Sequence, residues 1–169
     1  MYLTIIILGI LLDQITKYLA ASQLVGESIF IIDHFFYLTY LENKGAAFGI
    51  LQDSRTFFIL FTILVLIGLI YYAYKHRGNM HRTEKLALAF LVSGAFGNFI
   101  DRLLNGFVVD FLGLILPFDY HFPIFNVADL LVTAGCILFL VDAFFIKDGR
   151  KDDVNVDSDK LEEKEKNHG

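Results

Sequence analysis

Four apolar stretches punctuate the chain, at about residues 2–21, 57–74, 86–104 and 125–146. Each is long enough to cross a bilayer as a helix, for which about 20 residues at 1.5 Å per residue suffice. The second, FFILFTILVLIGLIYYAY, carries no charge at all. The other three are interrupted by ionisable side chains. Ala20, Ala21 and Ser22 look like a small-residue cleavage site. A cleaved leader would need a basic start and an unbroken apolar run, whereas Asp13, Gln14 and Lys17 break this one, so the first stretch is read as an uncleaved helix.

The pattern changes between the spans. SIFIIDHFFYLTYL, residues 28–41, is rich in Ile, Phe and Tyr, as strands are. Residues 42–45, ENKG, offer turn chemistry before a second short apolar run, AAFGIL. Together they predict a hairpin or small sheet over about residues 28–51. FVVDFLGLIL, further along, is also apolar but is interrupted by Asp110. Beyond residue 148 apolar periodicity ends, which predicts a disordered charged tail over 149–169 after a single membrane domain, 1–148.

Composition sharpens this picture. Of 169 residues 56% are hydrophobic and 20% charged, against about 45–50% and 25% in an average soluble domain. The last 23 residues hold 6 Lys/Arg and 8 Asp/Glu, so 14 of the 33 charges lie there. The remaining body is too apolar to cover itself with polar surface in water. The expected fold class is therefore an α-helical membrane protein with four transmembrane helices and a small extracytoplasmic β structure. A lone cysteine, Cys136, excludes a disulfide scaffold, and a net charge of −5 leaves no footprint for nucleic acid.

Orientation follows from Lys and Arg in the short loops. Lys75, Arg77, Arg82 and Lys85 cluster between spans two and three, and Lys147, Arg150 and Lys151 follow span four. Residues 106–123 contain neither Lys nor Arg. The prediction is a multi-pass protein of the plasma membrane, with both termini cytoplasmic and residues 22–54 and 105–124 outside.

Ionisable groups inside membrane spans are costly and default to a functional hypothesis. Asp13 and Lys17 share a helix face at i, i+4. GAFGNFIDRL lines up Gly94, Asn98, Asp101 and Arg102, with Gly94 and Gly97 allowing close helix approach. Asn126 and Asp129 begin span four, and Asp110 lies on the outer side. All fall at one depth, toward the outward ends of their spans. Each also has a plain structural reading. Asp13 and Lys17 form an intrahelical ion pair, Asn126 caps a helix with Asp129 in its first turn, and Asp101 and Arg102 anchor at the interface. Asn43, Lys44 and Gly45 make a turn, and Asp142 snorkels at the cytoplasmic end. Five scattered histidines show no zinc spacing, so no metal or other cofactor is expected. No GxSxG surrounds Ser93. What favours function is the convergence of the group. Two nearby carboxylates share a proton over a wide pH range, and one can activate water while the other donates to a peptide carbonyl. Asp110 and Asp129 are the candidates for that pair.

LDQITK (12–17), NKGAAFG (43–49), GNFIDRL (97–103), VVDF (108–111) and FNVAD (125–129), in this order, closely resemble the motifs of bacterial lipoprotein signal peptidase, the type II signal peptidase. The resemblance implies a four-helix membrane aspartic endopeptidase with an extracytoplasmic sheet cradle. It implies a diacylglyceryl-modified prolipoprotein as substrate, with cleavage just before the lipidated cysteine. It makes Asp110 and Asp129 the catalytic pair, and gives Asn43, Gly45, Asn98, Arg102 and Asn126 supporting roles in the site or in substrate binding. Asp13 and Lys17 become polar positions of structural rather than chemical importance. Membrane lipid and the cyclic peptide inhibitor globomycin are the other partners it implies. Two rival readings remain. In a proton-coupled transporter the outward carboxylates would form a relay, but the cytoplasmic halves of the spans are almost bare. A non-catalytic lipid-binding or assembly subunit gives no reason for two neighbouring outward aspartates.

Overall fold

The computed structural model describes residues 2–45 and 54–146. Four helices carry the chain: α1 (Tyr2–Gln23), α2 (Arg55–His76), α3 (Arg82–Leu104) and α4 (Val127–Val141), the last running into a π-helical turn over Asp142–Ile146. Each is long and apolar enough to span a membrane when α4 is taken with that turn. Their outer faces stay uncovered: Leu3, Leu8, Leu12, Leu60, Leu64, Ile67 and Ile137 are all more than half exposed. Lipid-facing helices look like this, because a bilayer removes any drive to bury leucine within the protein.

Helix α3 sits centrally, packed against α4, α1 and α2. Its buried residues include Ala87, Ala89, Ser93, Gly94 and Gly97, and this small-residue stripe permits the contact. A Cβ at Gly94 would run into the Ala128 carbonyl and the Val132 side chain of α4.

The segments between helices build one antiparallel sheet in the order β1 (Ser28–Ile32), β2 (Phe36–Asn43), β3 (Val108–Leu116), β4 (Tyr120–Phe125). Two expectations are corrected here. The stretch 28–41 is not one strand, because it reverses at Asp33–Phe35, where His34 has φ 55°. Glu42 and Asn43 pair with Val109 and Val108 of β3, so they continue the strand. AAFGIL lies outside the described residues, as does the 149–169 tail. Second, Asp110 does not interrupt its apolar stretch. Side chains alternate across a strand, so Val109 and Phe111 turn toward Ala20 and Leu24 of α1 in a small core, while Asp110 points to the opposite face. The 105–123 segment thus supplies half of the sheet, and an exposed corner at Phe118 and Asp119, both with positive φ, joins its strands.

Asp142 is also corrected. It is 1% exposed and its Oδ1 lies 3.1 Å from His81 Nδ1, so it is not a snorkelling side chain.

Candidate active site

The sheet closes over one end of the helix bundle, and a cavity of about 810 Å³ lies beneath it. Asn43, Gly45, Asn98, Arg102, Asp110 and Asp129 line it, together with apolar Leu41, Val108, Leu114, Phe122 and Ile124. Helix α3, helix α4 and strands β2 to β4 all contribute.

Asn126 organises the polar floor. Fully buried, it is the N-cap of α4 and accepts from the Asp129 backbone N–H at 3.0 Å. Its own backbone N–H donates to Asp129 Oδ2 at 3.2 Å, which completes a reciprocal capping box. Its Nδ2 donates to Asp110 Oδ1 at 2.6 Å and to Asn98 Oδ1 at 3.2 Å. Asn98 Nδ2 donates to Asp129 Oδ1 at 2.8 Å, and Asn43 Nδ2 donates to Asp110 Oδ2 at 2.8 Å. Both carboxylates are therefore gripped by amides on α3, α4 and β2. The turn reading of Asn43 also holds, since its Oδ1 accepts from the Gly45 N–H at 3.0 Å. So does the cap reading of Asn126: the structural role and the site role fall on the same atoms.

Burial pushes the Asp110 carboxyl up to about 7. The Asn43 amide pulls it down, the neighbouring Asp129 charge adds to the rise, and the Asn126 amide and Lys17 pull it down again.

Behind the floor lies a second layer. Lys17 is 3% exposed, and its Nζ reaches Asp13 Oδ2 at 2.8 Å, Asp101 Oδ2 at 3.0 Å and Asn98 Oδ1 at 2.9 Å. Asp13 in turn accepts from the Ala128 N–H at 2.8 Å, and Asp101 accepts from the Val109 N–H at 3.1 Å. Ala128 and Val109 directly precede Asp129 and Asp110. The ion cluster thus holds the backbone of both candidate carboxylates. Asp13 and Lys17 are more than an isolated intrahelical pair. Asp101 tethers β3 rather than anchoring at the interface. Arg102 lines the cavity, with its guanidinium 4.9 Å from the centre of the Phe58 ring.

Every site residue expected from sequence converges here, either in the cavity wall or in the layer behind it. Sequence reasoning missed the tethering role of Asp101, which stood visible in GNFIDRL. It also missed Gln14, which donates to Asp101 Oδ1 at 3.1 Å and to the Gly97 carbonyl at 3.2 Å. Arg55 was missed as well. From the start of α2 it donates to the carbonyls of Arg102 and Leu103, each at 2.9 Å, and closes the C-terminal end of α3. No spacing rule could have found it, because the contact joins residues 47 and 48 positions apart.

Residues 5–145 match the family model described as signal peptidase (SPase) II. A lipoprotein signal peptidase of Clostridium tetani is 44% identical over 154 residues, covering 90% of this chain and 97% of its own length. One from Brevibacillus brevis is 49% identical over 143 residues, covering 84% and 92%. Among solved structures, a bacterial membrane enzyme determined by the in meso method superposes with a TM-score of 0.78 at 41% identity, covering 89% of this chain and 90% of that one.

Proposed function

Since the chain belongs to the signal peptidase II family and is a peptidase that removes signal peptides from prolipoproteins, we propose that it works as an aspartic endopeptidase with Asp110 and Asp129 as its catalytic pair. The observation that carries this is the Asn126 side chain and backbone serving both carboxylates at once, at 2.6 Å and 3.2 Å. A shared amide fixes the two groups relative to each other, as acid–base catalysis by a pair requires.

The chemistry follows from one shared proton. Asp110, with its carboxyl near 7, donates to the scissile carbonyl oxygen. Asp129 takes a proton from water, whose oxygen adds to the carbonyl carbon. Collapse of the tetrahedral adduct breaks the C–N bond: the proton gained by Asp129 passes to the leaving amine, and one hydroxyl of the adduct returns its proton to Asp110 as the new carboxyl forms. Asn98 and Asn43 donate to Asp129 Oδ1 and Asp110 Oδ2, and Arg102 offers N–H donors to the substrate backbone in the cavity. No covalent intermediate is involved.

The substrate we infer is a prolipoprotein with diacylglycerol on its cysteine, cut immediately before that cysteine. Long acyl chains favour an apolar setting by about 0.8 kcal/mol per CH₂. The lipid-facing helices leave those chains in the bilayer, while the cavity under the sheet brings only the scissile bond to water. β1 with β2, and β3 with β4, would form the cradle, lying on the outer face with both termini inside. The basic residues between α2 and α3 support that orientation. Globomycin, a cyclic peptide, would compete for the same cavity. Neither the family match nor the relatives lend support to a transporter.

The test is cleavage of a purified prolipoprotein in detergent, with and without diacylglycerol on its cysteine. The expected result is a cut before the cysteine that depends on the lipid and is blocked by globomycin. Equal cleavage of the unlipidated form would contradict the substrate assignment.

A further inference from the structure

At the end of the bundle away from the dyad, three chemistry-bearing side chains meet that the proposed reaction does not use. His81 precedes α3, Glu84 lies in its first turn, and Asp142 ends α4. Asn98 lies 14 residues beyond Glu84 on α3, which places this group about 21 Å from the dyad along the helix. One ligand atom from each of the three lies within 4.8 Å of the others. Glu84 and Asp142 are each 1% exposed, while the His81 side chain keeps 16% exposure and so an opening to solvent.

Two observations point to a ligand here. The second oxygen of Asp142 has no hydrogen-bond partner, although the side chain is almost completely buried. His81 Nδ1 and Asp142 Oδ1 are in hydrogen-bond contact at 3.1 Å, a spacing that a cation bound by both at about 2.1 Å would also allow. Finally, Tyr72 of α2 donates its hydroxyl to Glu84 Oε1. A hydrogen bond of this kind orients a ligating carboxylate from outside the coordination shell.

We propose that His81, Glu84 and Asp142 form a binding site for a first-row divalent transition-metal cation such as zinc, tying the start of α3 to the end of α4 at the end of the bundle away from the dyad. One imidazole nitrogen and two carboxylates suit such an ion. The tie would be structural, since the cation lies far from the cavity. Histidine spacing did not suggest this site because Asp142 comes from a helix 61 residues away from His81.

The test uses the full chain in detergent, stripped of metal with a chelator and titrated with zinc chloride by calorimetry, with the melting temperature followed in parallel. The expected result is about one equivalent bound and a melting temperature that rises with zinc. Asp142→Asn should weaken binding by more than about 100-fold, and Tyr72→Phe by about 10-fold. Both variants, and stripped wild type below its melting point, should still cleave prolipoprotein, which confirms that they are folded. If Asp142→Asn does not fold, His81→Gln at the partly exposed helix start replaces it, with the same expected loss. An absence of saturable zinc binding by wild type would overturn the proposal. So would binding that neither substitution weakens, which would assign the metal to other histidines of the chain.

Discussion

Replacing Lys17 with methionine keeps the length and apolar stem of the side chain and removes only its charge. In the wild type that charge is 3% exposed and lies within 3.0 Å of carboxylates on Asp13 and Asp101, whose side chains are 0% and 4% exposed. Removing one partner of a buried charge group typically costs about 3–5 kcal/mol, because the remaining charges stay buried without compensation. For a chain of this size that corresponds to a fall in melting temperature of about 10 °C. The loss should reach the reaction too. Asp13 holds the N–H of Ala128 and Asp101 that of Val109, so loosening either moves a carboxylate of the proposed catalytic pair. A displacement of about 1 Å can cost about 100-fold in rate. Thermal unfolding in detergent and cleavage of lipidated prolipoprotein read the two effects. Combining Lys17→Met with Asp13→Asn and Asp101→Asn removes all three charges while leaving oxygens to accept from both N–H groups. This triple variant should recover at least half of the lost stability. The reasoning fails if Lys17→Met loses less than about 1 kcal/mol and cleaves within twofold of wild type.

Four further outcomes are expected. Cleavage should fall as pH rises through about 7, because Asp110, the proposed proton donor, is then ionised. The folded chain holds that proton up to about pH 7, whereas an unfolded aspartate releases it near 3.8. The stability of wild type relative to Asp110→Asn should therefore decline between about pH 4 and 7 and level off above, as read by chemical unfolding. Asn126→Ala removes the cap of α4 at a cost of about 0.5–2 kcal/mol, and it should lower the rate far more than Thr133→Ala, a substitution in the cavity wall. Gly94→Val drives a side chain into the Ala128 carbonyl and should lower the melting temperature of the detergent-solubilised protein by several degrees, with activity falling alongside it.

Much of this architecture was legible in the chain because membrane spans report themselves locally. The run of α2 needs no partner to be recognised, and polar residues inside apolar helices are conspicuous wherever they occur. Asn98 and Asp129 were readable for that reason, and Asp110 and Asn126 because they stand out in apolar stretches next to the helices. What was hidden depends on pairing at a distance. Asp110 interrupts FVVDFLGLIL only if the stretch is read as a loop. Once β3 lies between β2 and β4, alternation sends Val109 and Phe111 to α1 and Asp110 to the cavity. Asp33 and His34 carry a tight reversal inside a stretch whose strand-like composition hid it, and only pairing with β3 shows that Glu42 and Asn43 extend β2. Asp142 looked like a snorkelling end residue until His81 arrived from the start of the neighbouring helix α3. The grip of Asp13 on the Ala128 N–H joins residues 115 positions apart, beyond the reach of any local pattern.

The central claim is that Asp110 and Asp129 together perform the cleavage. The most direct measurement compares Asp110→Asn and Asp129→Asn, each checked for an intact melting transition, in single-turnover cleavage of lipidated prolipoprotein. The account predicts that each variant is folded and at least about 1,000-fold slower than wild type, with the double variant no slower than either single one, since the two groups act as a unit. Cleavage by a folded single variant within tenfold of wild type would contradict it.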